Sequence, residues 1–141
     1  MIRTATVDDA EQLLILNDEF NGKGATLDAV INSLENNKQE IVVVAEENSK
    51  LVGFLCIQIK KSFCYDDYSP EITELYVTPE YRRKGIASNM MEFAETYCKQ
   101  TYPIHKLELY TGEKNITAQA FYKSLGYTGK LEFHFSKYLI D

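Results

Sequence analysis

Short runs of apolar and β-branched residues, several of them alternating with polar ones, recur along the chain and predict six strands. The predicted strands cover residues 2–6, 40–47, 51–61, 71–77, 106–111 and 131–140. Because only the polar segment 48–50 separates the second strand from the third, we expect these two to form an antiparallel hairpin. Gly53 lies inside the third strand, where a glycine indicates a bulge.

Apolar residues at helical spacing predict four helices between these strands. The first begins after Asp8, an expected N-cap with Glu11 as its capping-box partner. The others cover residues 27–36, 87–102 and 115–127, and Gly126 is placed to end the last one. The order β-α-α-β-β-β-α-β-α-β predicts an α/β (α+β) fold, a mixed twisted sheet with helices on both faces. A crossover helix makes strands 71–77 and 106–111 expected parallel neighbours.

Composition and charge narrow the classes of function. The 141 residues predict one domain, 1–141. A formal net charge of -6 disfavours a nucleic-acid partner, which needs clustered cations, and could attract cationic molecules or merely maintain solubility. The three cysteines fit no zinc or redox spacing, so no metal site is predicted. With no signal sequence and no apolar run of about 18 residues, we expect a cytoplasmic protein without a membrane partner.

A cationic, glycine-containing segment joins the strand at 71–77 to the helix that follows. It carries Arg82, Arg83, Lys84 and Gly85 just before the first helical turn. A helix start presents unpaired amide groups and a partial positive charge, and a glycine lets an anion approach the backbone. The segment therefore suits a phosphate or diphosphate, although a solvated cationic cluster would have the same sequence. It is neither a Walker A loop nor the G-x-G-x-x-G fingerprint.

Two stretches resemble motifs of one family. ITELYVTPEYRRKGIASNMMEFA resembles the central motif of the GNAT superfamily of acetyl-CoA-dependent N-acetyltransferases, whose pattern Q/R-x-x-G-x-G/A is matched from Arg82 to Ala87. NITAQAFYKSLGY resembles that family's later motif, a helix opened by Asn with a Phe-Tyr pair and a Leu-Gly-Tyr/Phe end. The predicted element order is also that of the GNAT fold, and the resemblance is weakest over residues 1–40 and 62–69. It implies direct transfer of an acetyl group from acetyl-CoA to a primary amine in a ternary complex.

The resemblance also implies which residues bind acetyl-CoA. The strand before the turn is expected to offer its backbone to the pantetheine arm at Leu75, Tyr76 and Val77. The turn is expected to receive the diphosphate mainly through its amides; its residues are Arg82, Arg83, Lys84, Gly85, Ile86, Ala87 and Ser88. Asn115 is expected either to contact the cofactor or to cap its own helix.

Three residues are candidates for proton transfer. Tyr122 lies where the family often has a tyrosine near the thioester sulfur, and a phenol can protonate a leaving thiolate; packing beside Phe121 is the alternative. Glu74, and less favourably Glu71, could be the base that deprotonates the amine, or either could be an ordinary strand carboxylate. Their spacing of three puts them on opposite faces of a regular strand, so they could act alike only if a bulge intervenes.

The acceptor is expected to be a small, cationic amine, and Tyr65, Asp66, Asp67 and Tyr68 could form an acidic, aromatic rim for it or an ordinary polar loop. His105 and His134 are interpreted as plain loop and strand residues. The alternatives are a peptide or protein N-acetyltransferase, a non-catalytic acyl-CoA-binding or regulatory domain and, less well supported, a nucleic-acid-binding protein. The aromatic segment FHFSKYL could pair two copies in a homodimer or belong to the core.

Overall fold

The computed structural model describes residues 1–140, and the chain forms two compact units, Met1–Tyr110 and Thr111–Asp141. A mixed, five-stranded sheet forms the first unit, with the strands in chain order from one edge to the other. They are β1 (Ile2–Thr4), β2 (Glu40–Glu47), β3 (Lys50–Gln58), β4 (Glu71–Val77) and β5 (Glu108–Leu109). Neighbours are antiparallel except β4 and β5, which are parallel as predicted.

Helices cover both faces of this sheet, which confirms that part of the prediction. They are α1 (Ala10–Asn21), α2 (Leu27–Asn36) and α3 (Ile86–Thr101). Leu13 and Leu16 of α1 share a buried cluster with Val44, Phe54 and Tyr76, and Val30 and Leu34 of α2 pack against it. Positions one residue along each strand point the other way, and there α3 buries Met90, Met91, Ala94 and Cys98. Burial of these side chains on two sides of one sheet is the main stabilisation of the unit.

The start of α1 differs from the prediction because Asp9, not Asp8, is the structural carboxylate. A short 3-10 turn at Val7–Asp9 precedes the helix, and Asp9 Oδ2 accepts from the Thr6 amide at 2.8 Å. The Arg3 guanidinium donates to both Asp9 oxygens, at 2.8 and 2.9 Å. These bonds hold the pKa of Asp9 below its usual value although burial opposes them. The N-cap residue of α1 is Asp9 and not Asp8, so the expected Asp8 and Glu11 capping box is wrong.

The predicted hairpin and its bulge are both present. Asn48 and Ser49 have φ of 52° and 64°, the left-handed conformation that tight hairpin turns require. Ala45 pairs with Gly53 but Glu46 pairs with Leu51, so one residue of β3 is surplus beside the glycine. A Cβ on Gly53 would lie 2.8 Å from the Tyr76 carbonyl oxygen. Glycine at this position therefore allows β3 and β4 to approach closely.

Helix α4 (Ile116–Ser124) is the regular element among the described residues of the second unit. Gly126 follows it with φ of 96°, as expected for a residue that ends a helix. The predicted strand at 131–140 is wrong: the C-terminal tail, residues 128–140, has no regular secondary structure. Its large apolar side chains are 82% to 92% exposed; they are Leu131, Phe133, Phe135, Tyr138, Leu139 and Ile140. A strand needs a hydrogen-bonded neighbour, which alternation in sequence cannot supply.

None of the helices within residues 1–140 combines the length and the apolar character that crossing a bilayer requires.

Candidate active site

The α3 turn, residues 82–88, connects the end of β4 to helix α3 after a short 3-10 turn at Pro79–Tyr81. Arg83 and Gly85 have left-handed backbone conformations, with φ of 62° and 82°. Glycine adopts this conformation without strain, whereas a residue with a side chain such as Arg83 loses about 1–2 kcal/mol. Unlike the same conformation at Asn48 and Ser49, which forms a hairpin turn, the strained backbone at Arg83 lies just before the start of a helix.

Helix α3 starts without a cap. Gly85 is its N-cap residue, and no side chain within residues 1–140 accepts a hydrogen bond there. The first backbone bond of this helix runs from Asn89 N to Gly85 O, at 3.0 Å. Helix geometry therefore leaves the amides of Ile86, Ala87 and Ser88 without an acceptor, next to the positive end of the helix dipole. This arrangement can bind an anionic group.

The three cations of the α3 turn have different environments. Arg82 donates from Nε to the Val77 carbonyl oxygen at 2.8 Å, and its guanidinium carbon lies 5.6 Å from the centre of the Tyr76 ring. Lys84 Nζ lies 5.2 Å from the centre of the Tyr81 ring. Arg83 and Lys84 are exposed side chains. Arg82 is therefore held by a hydrogen bond to the protein backbone, whereas the charged groups of Arg83 and Lys84 are exposed and can meet an anion from solvent.

One edge of β4 is unpaired over most of its length. Within residues 1–140, β4 and β5 pair only at Glu71–Glu108 and Ile72–Leu109. The Thr78 amide donates to Val52 O on β3, so alternation directs the backbone of Tyr76 toward β3 and that of Leu75 and Val77 toward the open edge. The Tyr76 backbone therefore does not face the ligand-accessible edge that the sequence suggested. Since Val77 O already accepts from Arg82, Leu75 offers the more available groups.

A second bulge decides where the two candidate bases point. Cys56 pairs with Glu74 and Ile57 pairs with Ile72, so Thr73 is a surplus residue in β4. Glu71 pairs with Gln58, two residues from Cys56 on the same side of β3. Glu71 and Glu74 therefore share one face of the sheet, and the bulge that would allow the two carboxylates to act alike is present. On this face Cys56 packs against the buried cluster that contains Leu13 and Leu16 of α1.

These two carboxylates have different partners. Glu71 Oε1 lies 2.9 Å from Lys60 Nζ, and this bond raises the pKa of Lys60. Glu74 lies beside the Cys56 thiol, whose pKa is raised by burial first and then by the charges of Glu40 and Glu74. That thiol stays protonated at neutral pH.

Sequence reasoning missed Glu40, the first residue of β2. It accepts from Gln58 Nε2 at 3.2 Å on the same face as Glu74. Burial raises the pKa of Glu40, the Gln58 bond opposes this, and the charge of Glu74 adds to it. Glu40 also borders a cavity of about 180 Å³. Only the strand register relates residue 40 to residue 74, so no local motif could have found it.

In the second unit, Asn115 and Tyr122 belong to the α4 region. Asn115 Oδ1 accepts from the Ala118 amide at 3.1 Å, which confirms the capping alternative. Tyr122 is half-buried, with ring centres of Phe121 and Tyr127 at 5.2 and 6.1 Å. Burial raises the pKa of Tyr122, so its phenol is protonated at neutral pH and can donate a proton.

The loop expected to form an acidic rim is tied to the segment after α3. Asp67 Oδ2 lies 2.8 Å from His105 Nδ1, and the Tyr68 ring packs on Tyr102 at 4.9 Å. Sequence spacing indicated no acidic partner for His105 because Asp67 is distant along the chain. Asp66 remains exposed, so only part of the expected rim is available to a cation.

Relatives of known sequence point to one family. A sequence model of the acetyltransferase (GNAT) family matches residues 8–127. An uncharacterized N-acetyltransferase of Archaeoglobus fulgidus is 34% identical over 84 residues, which are 59% of this chain and only 56% of that protein. Another, from Bacillus subtilis, is 26% identical over 139 residues, covering 89% of this chain and 88% of that protein. An N-alpha-acetyltransferase of Saccharolobus solfataricus is 25% identical over 132 residues, covering 89% and 78%.

Solved structures agree in fold with this chain. A possible acetyltransferase from Clostridium difficile superposes with a TM-score of 0.77 at 26% identity, covering 100% of this chain and 97% of that one. An aminoglycoside acetyltransferase from an uncultured soil sample superposes with a TM-score of 0.86 at 18% identity, covering 100% and 96%, a likeness that concerns the fold alone. The predicted fold class is confirmed. The chain belongs to the acetyltransferase (GNAT) family and is, with that family, an acyltransferase of the N-acetyltransferase class.

Proposed function

We propose that the protein transfers the acetyl group of acetyl-CoA directly to the primary amine of a small, cationic acceptor. The observation that carries this proposal is the uncapped start of α3 beside the unpaired edge of β4, in a chain of this family. Free amides suit a diphosphate, and a free strand edge suits the two amides of the pantetheine arm. The residues present therefore fit the donor that the family uses.

For the donor, the diphosphate is assigned to the amides of Ile86, Ala87 and Ser88. Arg83 and Lys84 add positive charge from the exposed side of the α3 turn. Leu75 supplies the main backbone contact to the pantetheine arm. Arg82 contributes indirectly, through its hydrogen bond to the Val77 carbonyl oxygen. Asn115 contributes by holding the start of α4.

Glu74 is the proposed general base, acting directly or through water. An acceptor ammonium with a pKa of about 10 must lose a proton before its nitrogen can attack. The Oε1 atom of Glu71 is already occupied by Lys60 Nζ, at 2.9 Å, so it is less available to accept a proton from the acceptor. Glu74 forms no such pair within residues 1–140. This difference favours Glu74 over Glu71.

Tyr122 is the proposed acid, as the family resemblance implies. In the transfer, the amine nitrogen forms the new bond to the acetyl carbon, the carbon–sulfur bond breaks, and the thiolate takes the phenol proton. Direct transfer is supported by the state of the Cys56 thiol beside Glu74, which is protonated and therefore a poor nucleophile.

A cationic acceptor is supported by the charges near Glu74. Among the described residues, no ion pair neutralises either Glu40 or Glu74, although both lie on the same sheet face. An amine entering this face as an ammonium would supply the missing positive charge. The net charge of -6 would also draw cations toward the protein.

The test is release of free CoA thiol from acetyl-CoA with a panel of amines that includes polyamines, amino sugars and neutral amines. We expect turnover mainly with polycationic acceptors. Glu74→Gln should lower kcat by about 10²–10⁴-fold and Glu71→Gln by much less. Turnover only on neutral or acidic amines would reject the cationic acceptor. If calorimetry showed CoA binding but no acceptor were turned over, the alternative of a non-catalytic acyl-CoA-binding domain would be supported instead.

A second candidate acceptor is the α-amino group of a peptide, which the similarity to the N-alpha-acetyltransferase of S. solfataricus favours. Short peptides with different first residues, added to the same thiol assay, distinguish the two candidates. Faster turnover on peptide N-termini than on polyamines would select this one.

We also propose a homodimer in the cytoplasm. The exposed tail offers six large apolar side chains, which a second copy could cover. Three free cysteines favour a reducing compartment. Sedimentation of the full chain, compared with Phe133→Ser/Phe135→Ser, tests the dimer. A monomeric wild-type protein at assay concentration rejects it.

A further inference from the structure

A line of contacts joins helix α1 to the α3 turn through one buried tyrosine. The Tyr76 hydroxyl donates to Glu19 Oε2 at 3.0 Å, near the end of α1. The Arg82 guanidinium lies over the Tyr76 ring, 5.6 Å from its centre. Phe20, next to Glu19, stacks on the same ring with centres 5.0 Å apart and planes 25° apart. The two ends of this line are 63 residues apart in sequence (82 − 19).

Opposite charges stand at the two ends of this line. Tyr76 is only 8% exposed, so its hydroxyl needs a partner inside the protein, and Glu19 supplies it. Burial first, and then the bond to Glu19, raise the pKa of Tyr76, while the charge of Arg82 opposes them. The phenol therefore remains a neutral donor between a carboxylate and a guanidinium at neutral pH.

These contacts give Arg82 a different role from the two cations that follow it. Its Nε is occupied by Val77 O and its charged group rests on the Tyr76 ring. Arg82 directly precedes Arg83, the residue held in the left-handed conformation at φ of 62°. Fixing the Arg82 side chain to β4 therefore fixes the point from which the strained backbone of the α3 turn departs.

We propose that Tyr76 and Arg82 are positioning residues for the donor diphosphate, and that Glu19 in α1 orients them through the Tyr76 hydroxyl. This inference rests on the proposed function. It makes the shape of the α3 turn depend on a helix that lies on one face of the sheet and contributes no residue to that turn.

The test compares two donors, acetyl-CoA and S-acetyl-pantetheine, which lacks the diphosphate. A change that misplaces the α3 turn should raise KM for acetyl-CoA and leave KM for S-acetyl-pantetheine nearly unchanged. We expect the rise in KM for acetyl-CoA to be about tenfold for Arg82→Gln, about fivefold for Tyr76→Phe and about threefold for Glu19→Gln. The acceptor is the best amine of the panel at saturating concentration.

The matched control is Glu11→Gln, an exposed glutamate on the same helix, for which KM should stay within about twofold. Because the three groups act as one unit, Tyr76→Phe combined with Arg82→Gln should raise KM by less than the product of the single effects. If Tyr76→Phe folds poorly in thermal melts, Glu19→Gln carries the same comparison from an exposed position.

Equal losses with both donors would show a general structural role and overturn the proposal. A loss confined to Arg82→Gln, with Glu19→Gln and Tyr76→Phe like the wild type, would make Arg82 a direct phosphate ligand and also overturn it. Failure of the proposed function looks different, because the wild-type protein would then use neither donor with any acceptor, whether or not calorimetry showed CoA binding.

Discussion

The first-turn amides of α3 and α4 differ in their hydrogen bonding: those of α4 are capped by a side chain and those of α3 are not. At α4, and again at α2, a side-chain oxygen accepts from a first-turn amide: Asn115 Oδ1 from Ala118 at 3.1 Å, and Thr26 Oγ1 from Ala29 at 3.2 Å. At α3 the equivalent place is held by Gly85, which has no side chain to do so. Amides satisfied internally add to folding stability, whereas those at α3 are left for another acceptor. Helix α1 also lacks a side-chain cap, but it continues directly from the 3-10 turn at Val7–Asp9, whose backbone bonds satisfy its first amides.

The largest expected effect comes from Gly85→Asp, which would give α3 a side-chain cap like those of α2 and α4. An aspartate at the N-cap would accept from the α3 amides and place a negative charge where the diphosphate should lie. We expect CoA to bind at least about 100-fold more weakly, about 2.7 kcal/mol, in calorimetry.

Gly22→Asp is the control for a new carboxylate at a positive φ, because Gly22 has a φ of 79° and equally open surroundings, with a ψ of 171° against 5° at Gly85. It should bind CoA like the wild type. Unchanged affinity in Gly85→Asp would mean that the α3 amides are not the diphosphate site.

Asp9→Asn tests the 3-10 turn before α1, where a charged carboxylate accepts hydrogen bonds from the Thr6 amide and the Arg3 guanidinium. Bonds from Arg3 lower the pKa of Asp9, so its stabilisation is present above the unfolded pKa of about 4 and is lost as pH falls through the lower, folded value. We expect a loss of about 2 kcal/mol of unfolding free energy at pH 7 in urea titrations. The difference from wild type should shrink toward pH 3; a constant difference would contradict the assignment.

Asn115→Ala removes the kind of cap that α3 lacks. We expect a loss of about 1 kcal/mol of unfolding free energy and little change in CoA affinity. Asn115→Ser, which can still cap, should restore most of the stability. A tenfold weaker affinity for CoA in Asn115→Ala would instead show that Asn115 also contacts the donor.

Arg83→Gln should have the smallest effect, because an exposed charge is screened by salt. We expect about threefold weaker CoA binding at low salt and almost no difference at about 1 M salt. The matched variant Arg83→Lys should bind nearly as the wild type does, since it keeps the charge. A large effect that persists in high salt would mean that Arg83 forms a specific, buried contact with the donor.

What could be predicted from sequence follows from how local each feature is. Gly85 before α3 and Asn115 before α4 act within one helical turn, so short motifs identified both. The hairpin could be predicted for the same reason, from the turn at Asn48 and Ser49. The tail at 131–140 could not, because its alternation reports the propensity to extend and not whether a neighbouring strand exists.

Long-range pairs were the other part that sequence reasoning missed. The bond between Glu19 and Tyr76, the pair of Asp67 with His105 and the position of Glu40 all depend on how strands and helices pack. None of these pairs lies within one helical turn or one hairpin, so periodicity carries no information about them.

Thr73, which has no proposed chemical role, is the surplus residue that forms the bulge in β4. A bulge bends its strand and increases the local twist, and the β4–β5 pairing ends at Ile72, immediately before Thr73. Deleting Thr73 would leave both glutamates on their present side but straighten β4, so that β5 could extend its pairing along it. The open edge of β4 would then be covered by ordinary backbone pairing, without the loss of a single chemically active side chain.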